Sequence, residues 1–388
     1  MTHVSTPSLS VVWDERFESY DFGVGHPFSE RSRGLAVDLL ASVGDARRSG
    51  PLEWIRRVGP ASPEVLESFH RPKYVEFVRQ VSGTKTPTPL DAGDTPSFPG
   101  CFEEAARIVE GAQLAIGRTM ETSCPAFHPA GGLHHAHPER ASGFCIFNDV
   151  AIAVARLANR GRRVAYVDID AHHGDGVMYG FYDSGRVLDI DFHQDGRTLF
   201  PGTGALSETG RGDGAGLKVN VPLPPLCGDE ALLPLFRRLV PTLLRSFRPE
   251  VIVLQHGVDG HAGDALTQLQ YTPAAYAEVD STILGLAKEL SGGRLMVTGG
   301  GGYRAATVSR VLARTGLLLA RLPSPPAGQA LPETWRARYH GSMGEGAPST
   351  WEDPGRPTGS PWQVEHATKL IGALETALGR GFPPVAPP

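Results

Sequence analysis

Along the chain, short and nearly continuous apolar runs alternate with longer stretches in which apolar residues recur every three to four positions. The short, β-branched runs predict strands at 9–14 (LSVVWD), 163–169 (RVAYVDI), 186–192 (RVLDIDF), 217–223 (LKVNVPL), 250–257 (EVIVLQHG) and 294–300 (RLMVTGG). Such runs fit strands covered on both faces, as in parallel sheets. The longer stretches predict helices at 101–118, 149–160, 229–247, 273–290, 304–321 and 363–378. Asn148 and Thr272 stand at N-cap positions and Pro273 in a first turn. Pro241 predicts a kink or a split in the helix at 229–247. Strands alternating with helices imply βαβ units, hence an α/β chain with a central, mostly parallel sheet flanked by helices.

No break in the pattern marks a domain boundary, so residues 1–388 are expected to form one domain with a core over 9–321. Segments 82–100, 119–147, 193–215 and 322–362 are rich in glycine and proline and predict long loops, which in a compact domain tend to carry function. The last is expected to wrap the surface before a C-terminal helix over 363–379.

Composition narrows the class. With 40% apolar and 20% charged residues the chain has an ordinary globular make-up, and its net charge of −5 argues against a non-specific nucleic-acid binder. Small molecules or proteins remain as partners. No run approaches the ~20 apolar residues of a membrane helix, and MTHVSTPSLSVVWDE lacks the pattern of a signal peptide. Cys101, Cys124, Cys145 and Cys227 form neither a CxxC pair nor a dense framework, which fits a reduced, cytoplasmic protein. A monomer or weak homo-oligomer is expected.

The chemistry concentrates in mid-chain: nine of the 14 histidines lie between His128 and His261. In an open α/β sheet, ligands bind beyond the carboxyl ends of the strands. Asp168, Asp170 and His172 follow one predicted strand, His193 the next, Asp259 another and Tyr303 another, while His134 and His135 precede a helix. Alternation along an extended chain puts Asp168, Asp170 and His172 on one face. Asp170 and His172, joined by Asp259, make two carboxylates and one imidazole, a three-ligand set with an open position as in catalytic zinc sites. The same set accepts Fe(II) or Co(II). Asp168 is then free to orient a histidine.

These segments resemble the zinc-dependent deacetylase family, which comprises histone deacetylases, bacterial acetoin-utilisation deacetylases and acetylpolyamine amidohydrolases. The similar stretches are GHPFSER (25–31), GDTP (93–96), GGLHHAHPERASGFCIFND (131–149), VAYVDIDAHHGDGV (164–177), LFPGTG (199–204), VLQHGVDGHAGDALTQL (253–269) and TGGGGY (298–303), with LPETWRARY (331–339) closest to the acetoin-utilisation branch.

The resemblance implies an arginase/deacetylase-like fold and hydrolysis of acetyl-lysine in proteins or peptides, or of acetylated small amines. It implies Asp170, His172 and Asp259 as ligands to Zn²⁺, and His134–Asp168 and His135–Asp175 as imidazole–carboxylate pairs whose carboxylates favour the protonated imidazoles. Tyr303 would stand beside the substrate carbonyl. Phe144 and Phe200 would wall a tunnel for the acyl-lysine stem, the Gly143 carbonyl would accept its amide N–H, and Asp94 and Leu266 would lie at the rim. A K⁺ site would draw on Asp168, Asp170, His172, Asp191 and Phe192, with Asp191-Phe192 where the family often has Ser-Leu.

The arginine expected at the tunnel base is out of register, with Ser32 between Arg31 and Arg33 at that position. A two-metal ureohydrolase would need an aspartate where Gly174 stands, and a non-catalytic acetyl-lysine binder would be expected to lack one of the key residues. His173 is expected to serve only as a structural hydrogen-bonder.

Overall fold

The computed structural model describes residues 8–44, 51–91, 93–353 and 361–379. Eight strands, β1 (Leu9–Val12), β2 (Leu52–Ile55), β3 (Ala126–His128), β4 (Val164–Asp168), β5 (Val187–Gln194), β6 (Lys218–Leu223), β7 (Val251–Gln255) and β8 (Leu295–Thr298), form one sheet in the order β2-β1-β3-β8-β7-β4-β5-β6. Every pairing is parallel, not merely most of them. The helices are α1 (Arg31–Gly44), α2 (Pro63–Leu66), α3 (Pro72–Ser82), α4 (Cys101–Thr122), α5 (Asp149–Ala158), α6 (Asp175–Gly180), α7 (Asp229–Phe247), α8 (Pro273–Leu290), α9 (Ala305–Leu319), α10 (Glu333–Met343) and α11 (Pro361–Leu378).

Two apolar cores sandwich the sheet. Leu35, Leu39, Leu254, Val311 and Leu312 belong to the one beneath α1 and α7–α9, and Ile108, Ile116, Val150, Val154 and Tyr166 to the one beneath α3–α5. Burial on both faces is why β4 and β7 read as unbroken apolar runs.

Several expectations need correction. The segment 119–147 contains β3, and α4 reaches Thr122; three residues are too few for a strand to declare itself by pattern. Helices α1, α2 and α3 and strand β2 lie between the predicted strand at 9–14 and the predicted helix at 101–118, where no element was predicted. α7 runs unbroken through both Pro234 and Pro241, held by a buried face that includes Leu235, Phe236, Leu239, Leu243 and Leu244. The segment 322–362 is not wholly loop. It contains α10, whose Trp335 and Tyr339 are buried, with the Trp335 indole donating to the Leu35 carbonyl at 2.8 Å. α11 begins at Pro361, and the stretch 354–360 of that predicted loop lies outside the described residues, as do 1–7 and 380–388 of the predicted domain. No helix among the described residues is long and apolar enough to cross a membrane.

The topology decides where a site can form. From β4 the chain steps outward through β5 to β6, while β7 steps the other way to β8. β4 and β7 are neighbours, so their carboxyl ends flank the point where the winding reverses, the crevice in which such sheets bind ligands.

Candidate active site and metal centre

β4 and β7 deliver the three predicted ligands to that crevice. Asp170, His172 and Asp259 are buried, and one ligand atom from each lies within 4.8 Å of the others. Among the described residues it is the one such cluster of three or more His, Cys, Asp or Glu side chains. His172 Nδ1 stands 2.8 Å from Asp259 Oδ2 and 3.2 Å from Asp170 Oδ1.

Burial opposes the charged form of His172, yet Asp259 and Asp170 outweigh it and raise its pKa to about 10. Burial and the neighbouring Asp170 push Asp259 up to about 8. Burial works against the Asp170 carboxylate too, but His134 and His172 hold it below the usual range. Two carboxylates converging on one imidazole Nδ1 in a buried pocket fit a divalent metal, which would take the place of the shared proton. The turn after β8 closes over them: the Gly301 N–H donates to Asp170 Oδ2 at 2.6 Å, and a Cβ at Gly301 would overlap Asp259 Oδ2.

The histidine pair sits across from the ligands. His134 Nδ1 bonds Asp168 Oδ2 at 2.9 Å, His135 Nδ1 bonds Asp175 Oδ1 at 2.8 Å, and the two Nε2 atoms are 3.0 Å apart. Local structure fixes the loop that carries them. Asn148 caps α5 by accepting from the Ala151 N–H, and its side-chain amide donates to the carbonyls of His134 and Ala136. The buried Asp149 carboxylate accepts the Gly132 and Leu133 N–H groups.

The carboxylates were expected to favour protonated imidazoles, but burial wins. It lowers His134, with Asp170 and Asp175 opposing, and together with His134 it lowers His135 to about 4. Asp168 is raised well above its usual value by burial and by Asp170, whereas Asp175, despite burial, is held low by its histidine hydrogen bonds.

Two partners of these pairs escaped sequence reasoning. The Tyr166 hydroxyl donates to Asp168 Oδ2, and His137 Nε2 bonds Asp175 Oδ2 at 2.9 Å. The signals were present: Tyr166 is two residues before Asp168 on the same strand face, and His137 is two residues after His135. Arg33 corrects the register at the base. Its buried guanidinium donates to the carbonyls of Gly300 and Gly302 and lies 4.9 Å from the Phe28 ring, with Ser32 only an accessory partner at 3.0 Å. Arg33, one residue after the position read from the sequence, is the arginine that reaches the Gly300 and Gly302 carbonyls, because α1 starts at Arg31 and its helical phase sets which side chain points there.

Around the mouth, the half-buried Phe144 ring lies 6.0 Å from Tyr303, and the Tyr303 ring lies 6.2 Å from His172. Phe200 is 43% exposed and packs 5.2 Å from His135; Leu266 is 39% exposed. Gly143 holds φ +52°, and its carbonyl meets the Cys145 thiol at 3.3 Å. Asp94 is exposed at the rim; burial of its carboxyl group and the neighbouring Asp91 raise its pKa to about 6. Asp191 is buried, with Oδ2 accepting the Gly174 N–H at 2.7 Å and Oδ1 without a partner among the described residues; Phe192 is core. His173 bonds Thr203 Oγ1 at 2.8 Å and Met178 Sδ at 3.3 Å. A larger cavity of about 1170 Å³ between α8, α9 and the 322–327 and 351–353 segments is remote from all of this chemistry.

A model of the histone deacetylase domain matches residues 26–317. The chain belongs to the histone deacetylase family. Within it, the chain is 36% identical over 354 residues to the acetoin utilization protein AcuC of Bacillus subtilis (strain 168), covering 88% of this chain and 89% of that protein. It is 33% identical to AcuC of Staphylococcus xylosus (88% and 90% covered) and 34% identical to AcuC of Staphylococcus aureus (strain MSSA476; 88% and 89%). A deacetylase of this family is generally metal-dependent, and the Asp170–His172–Asp259 cluster offers the place for one.

Proposed function

We propose that the chain hydrolyses the acetamide of Nε-acetyl-lysine in proteins or peptides, releasing acetate. The observation that carries this reading is the juxtaposition of two neutral imidazoles, each hydrogen-bonded to a buried aspartate, with a three-ligand O/O/N cluster and a phenol at one crevice. A Zn²⁺ held by Asp170, His172 and Asp259, or Fe²⁺ or Co²⁺ in the same ligands, supplies Lewis acidity that polarises the amide carbonyl and lowers the pKa of water from ~15.7 towards ~7.

The protein groups do the rest. His135, neutral because burial lowers its pKa to about 4, takes the proton of the attacking water, and Asp175 stabilises the imidazolium that forms. His134, beside it, protonates the departing lysine amine while Asp168 and Tyr166 fix its tautomer. The Tyr303 hydroxyl, kept protonated by burial near Asp259 and Asp170, donates to the oxygen on which charge develops. Phe144 and Phe200 flank the lysine stem, the Gly143 carbonyl accepts the acetamide N–H, Asp94 holds substrate backbone, and Leu266 offers apolar surface at the rim.

A monovalent cation, K⁺, belongs beside Asp168, Asp170, His172, Asp191 and Phe192; the buried, unpartnered Asp191 Oδ1 supports that reading. The protein is taken to act in the cytoplasm as a monomer or weak homo-oligomer. Turnover of acetyl-lysine peptides against N-acetylated polyamines, with Zn²⁺, Fe²⁺ or Co²⁺ and with a hydroxamate chelator, tests the reading. Peptide hydrolysis blocked by the hydroxamate is expected. Exclusive turnover of acetylpolyamines would transfer the assignment to that class, and no hydrolysis of any acetylated amine would end it.

A further inference from the structure

Beside the mouth of the crevice lies a second cavity of about 510 Å³, which shares Asp94 and Phe200 with the rim and includes His137, Arg140 and Tyr179 in its lining. Its electrostatics differ from what the acidic rim suggests. Asp91 spends its carboxylate on its own loop, accepting the N–H groups of Gly93, Asp94 and Thr95 at 2.9, 3.1 and 3.0 Å. Asp175 is taken by His135 and His137. Across the mouth, Asp264 accepts the N–H groups of Leu266 and Tyr303 at 2.9 and 2.8 Å. Asp94 is the lining carboxylate with acceptor capacity to spare, its one side-chain donor being Thr95 Oγ1 at 3.2 Å.

Arg140 is the opposite case. It is exposed, and its guanidinium has no hydrogen-bond or ion-pair partner among the described residues. The neighbouring Glu139 faces Arg71 at 3.4 Å and does not neutralise it. Nor is the arginine on a loose loop. His137 and Arg140 exchange backbone hydrogen bonds across Pro138-Glu139, at 3.0 Å from the His137 N–H and 3.4 Å from the Arg140 N–H. The His137 ring is pinned to Asp175 and stacked on Tyr179 at 6.3 Å. An unpaired guanidinium carried on a fixed backbone turn beside a substrate channel is a group suited to bind a carboxylate.

We propose that this cavity is a subsite for an acidic residue flanking the acyl-lysine, with Arg140 reading its carboxylate. The inference rests on the acyl-lysine reading above and deepens it. Because the cavity shares Asp94 and Phe200 with the rim and successive residues of an extended substrate are ~3.3 Å apart, the acidic residue is assigned to one of the two positions on either side of the acyl-lysine. The same arginine repels polycations, which disfavours acetylpolyamines.

The test compares acetyl-lysine peptides carrying Glu, Ala or Lys at each of the two flanking positions on either side. They are assayed with the zinc-loaded full chain as wild type, Arg140→Ala and Arg140→Glu. At one of those positions the wild type is expected to prefer Glu over Lys by about threefold to fivefold in kcat/KM, the range of a partly exposed ion pair. Arg140→Ala flattens that order, and Arg140→Glu inverts it and raises turnover of acetylated polyamines. All three proteins turn over the all-Ala peptide alike. Binding of fluorescein-labelled versions to the metal-free proteins, read by anisotropy, follows the same order and separates the subsite from the chemistry. Binding in that order without hydrolysis would defeat the proposed activity and leave the subsite standing. An unchanged Glu/Lys order in Arg140→Glu would overturn the subsite.

Discussion

The Tyr303 hydroxyl owes its value to remaining a phenol. Burial, with Asp259 and Asp170 nearby, raises its pKa well above 10, so it stays a donor wherever the enzyme works. Tyr303→Phe is expected to lower kcat by ~10²–10³ while metal content by elemental analysis is unchanged, because the substitution keeps the ring and the backbone N–H to Asp264 and removes only the hydroxyl. Near-normal turnover would remove the residue from the mechanism. Asp94 behaves oppositely. With its pKa raised to about 6 by burial and Asp91, it is an acceptor-only carboxylate above that pH and gains a proton below it. KM for peptides should therefore climb as pH falls through about 6, with kcat free of this limb, and Asp94→Asn should raise KM at neutral pH and abolish the limb. A KM-versus-pH curve of the same shape in both proteins would rule the role out.

At the scale of elements, the turn between β8 and α9 matters because it must pass within hydrogen-bond distance of the ligand carboxylates. Gly301→Ala places a methyl group against the Asp259 carboxylate, with Asp170 Oδ2 at 2.9 Å, and both carboxylates are buried. The expected result is metal affinity weakened by about tenfold or more in chelator competition, with the far-ultraviolet dichroism of the wild type; unaltered affinity would contradict the close approach.

Sequence pattern served best where physics acts locally. Capping preferences found Asn148 and Thr272. By contrast, β4 ends at Asp168, and Asp170 and His172 follow in bends whose N–H groups bond the carboxylate two residues before, not in the extended chain that alternation assumed. The pattern failed where tertiary context decides. β2 and β3 are four and three residues long, too short to show a period. α10 has little apolar character beyond Trp335 and Tyr339, and forms because those two rings bury beside α1. Pro241 breaks a helix in isolation, yet α7 has two prolines and a continuous buried face that outweighs them. Arg33 was missed by one residue because its identity depends on helix phase, not on spacing.

For the molecule as a whole, the candidate metal centre lies where the winding of the sheet reverses. The ligands come from segments 87 residues apart, after β4 and after β7, adjacent strands at the middle of the sheet. Without a metal, two buried carboxylates share one imidazole, an arrangement whose desolvation is only partly compensated. A bound divalent ion therefore stabilises the native state alone, by ~2.7 kcal/mol at a hundredfold excess over Kd. For a chain of 388 residues, with an unfolding entropy of ~0.8 kcal/mol/K, that corresponds to a rise in Tm of roughly 3 °C. Scanning calorimetry should show this increment on adding Zn²⁺ to chelator-treated protein. It should shrink as pH falls, because protons compete with the metal for His172 and the two carboxylates. In Asp259→Asn the increment should vanish at the same metal concentration, although the variant still folds. If saturating Zn²⁺ left Tm unmoved in the wild type, the Asp170–His172–Asp259 cluster would not be the ion's site.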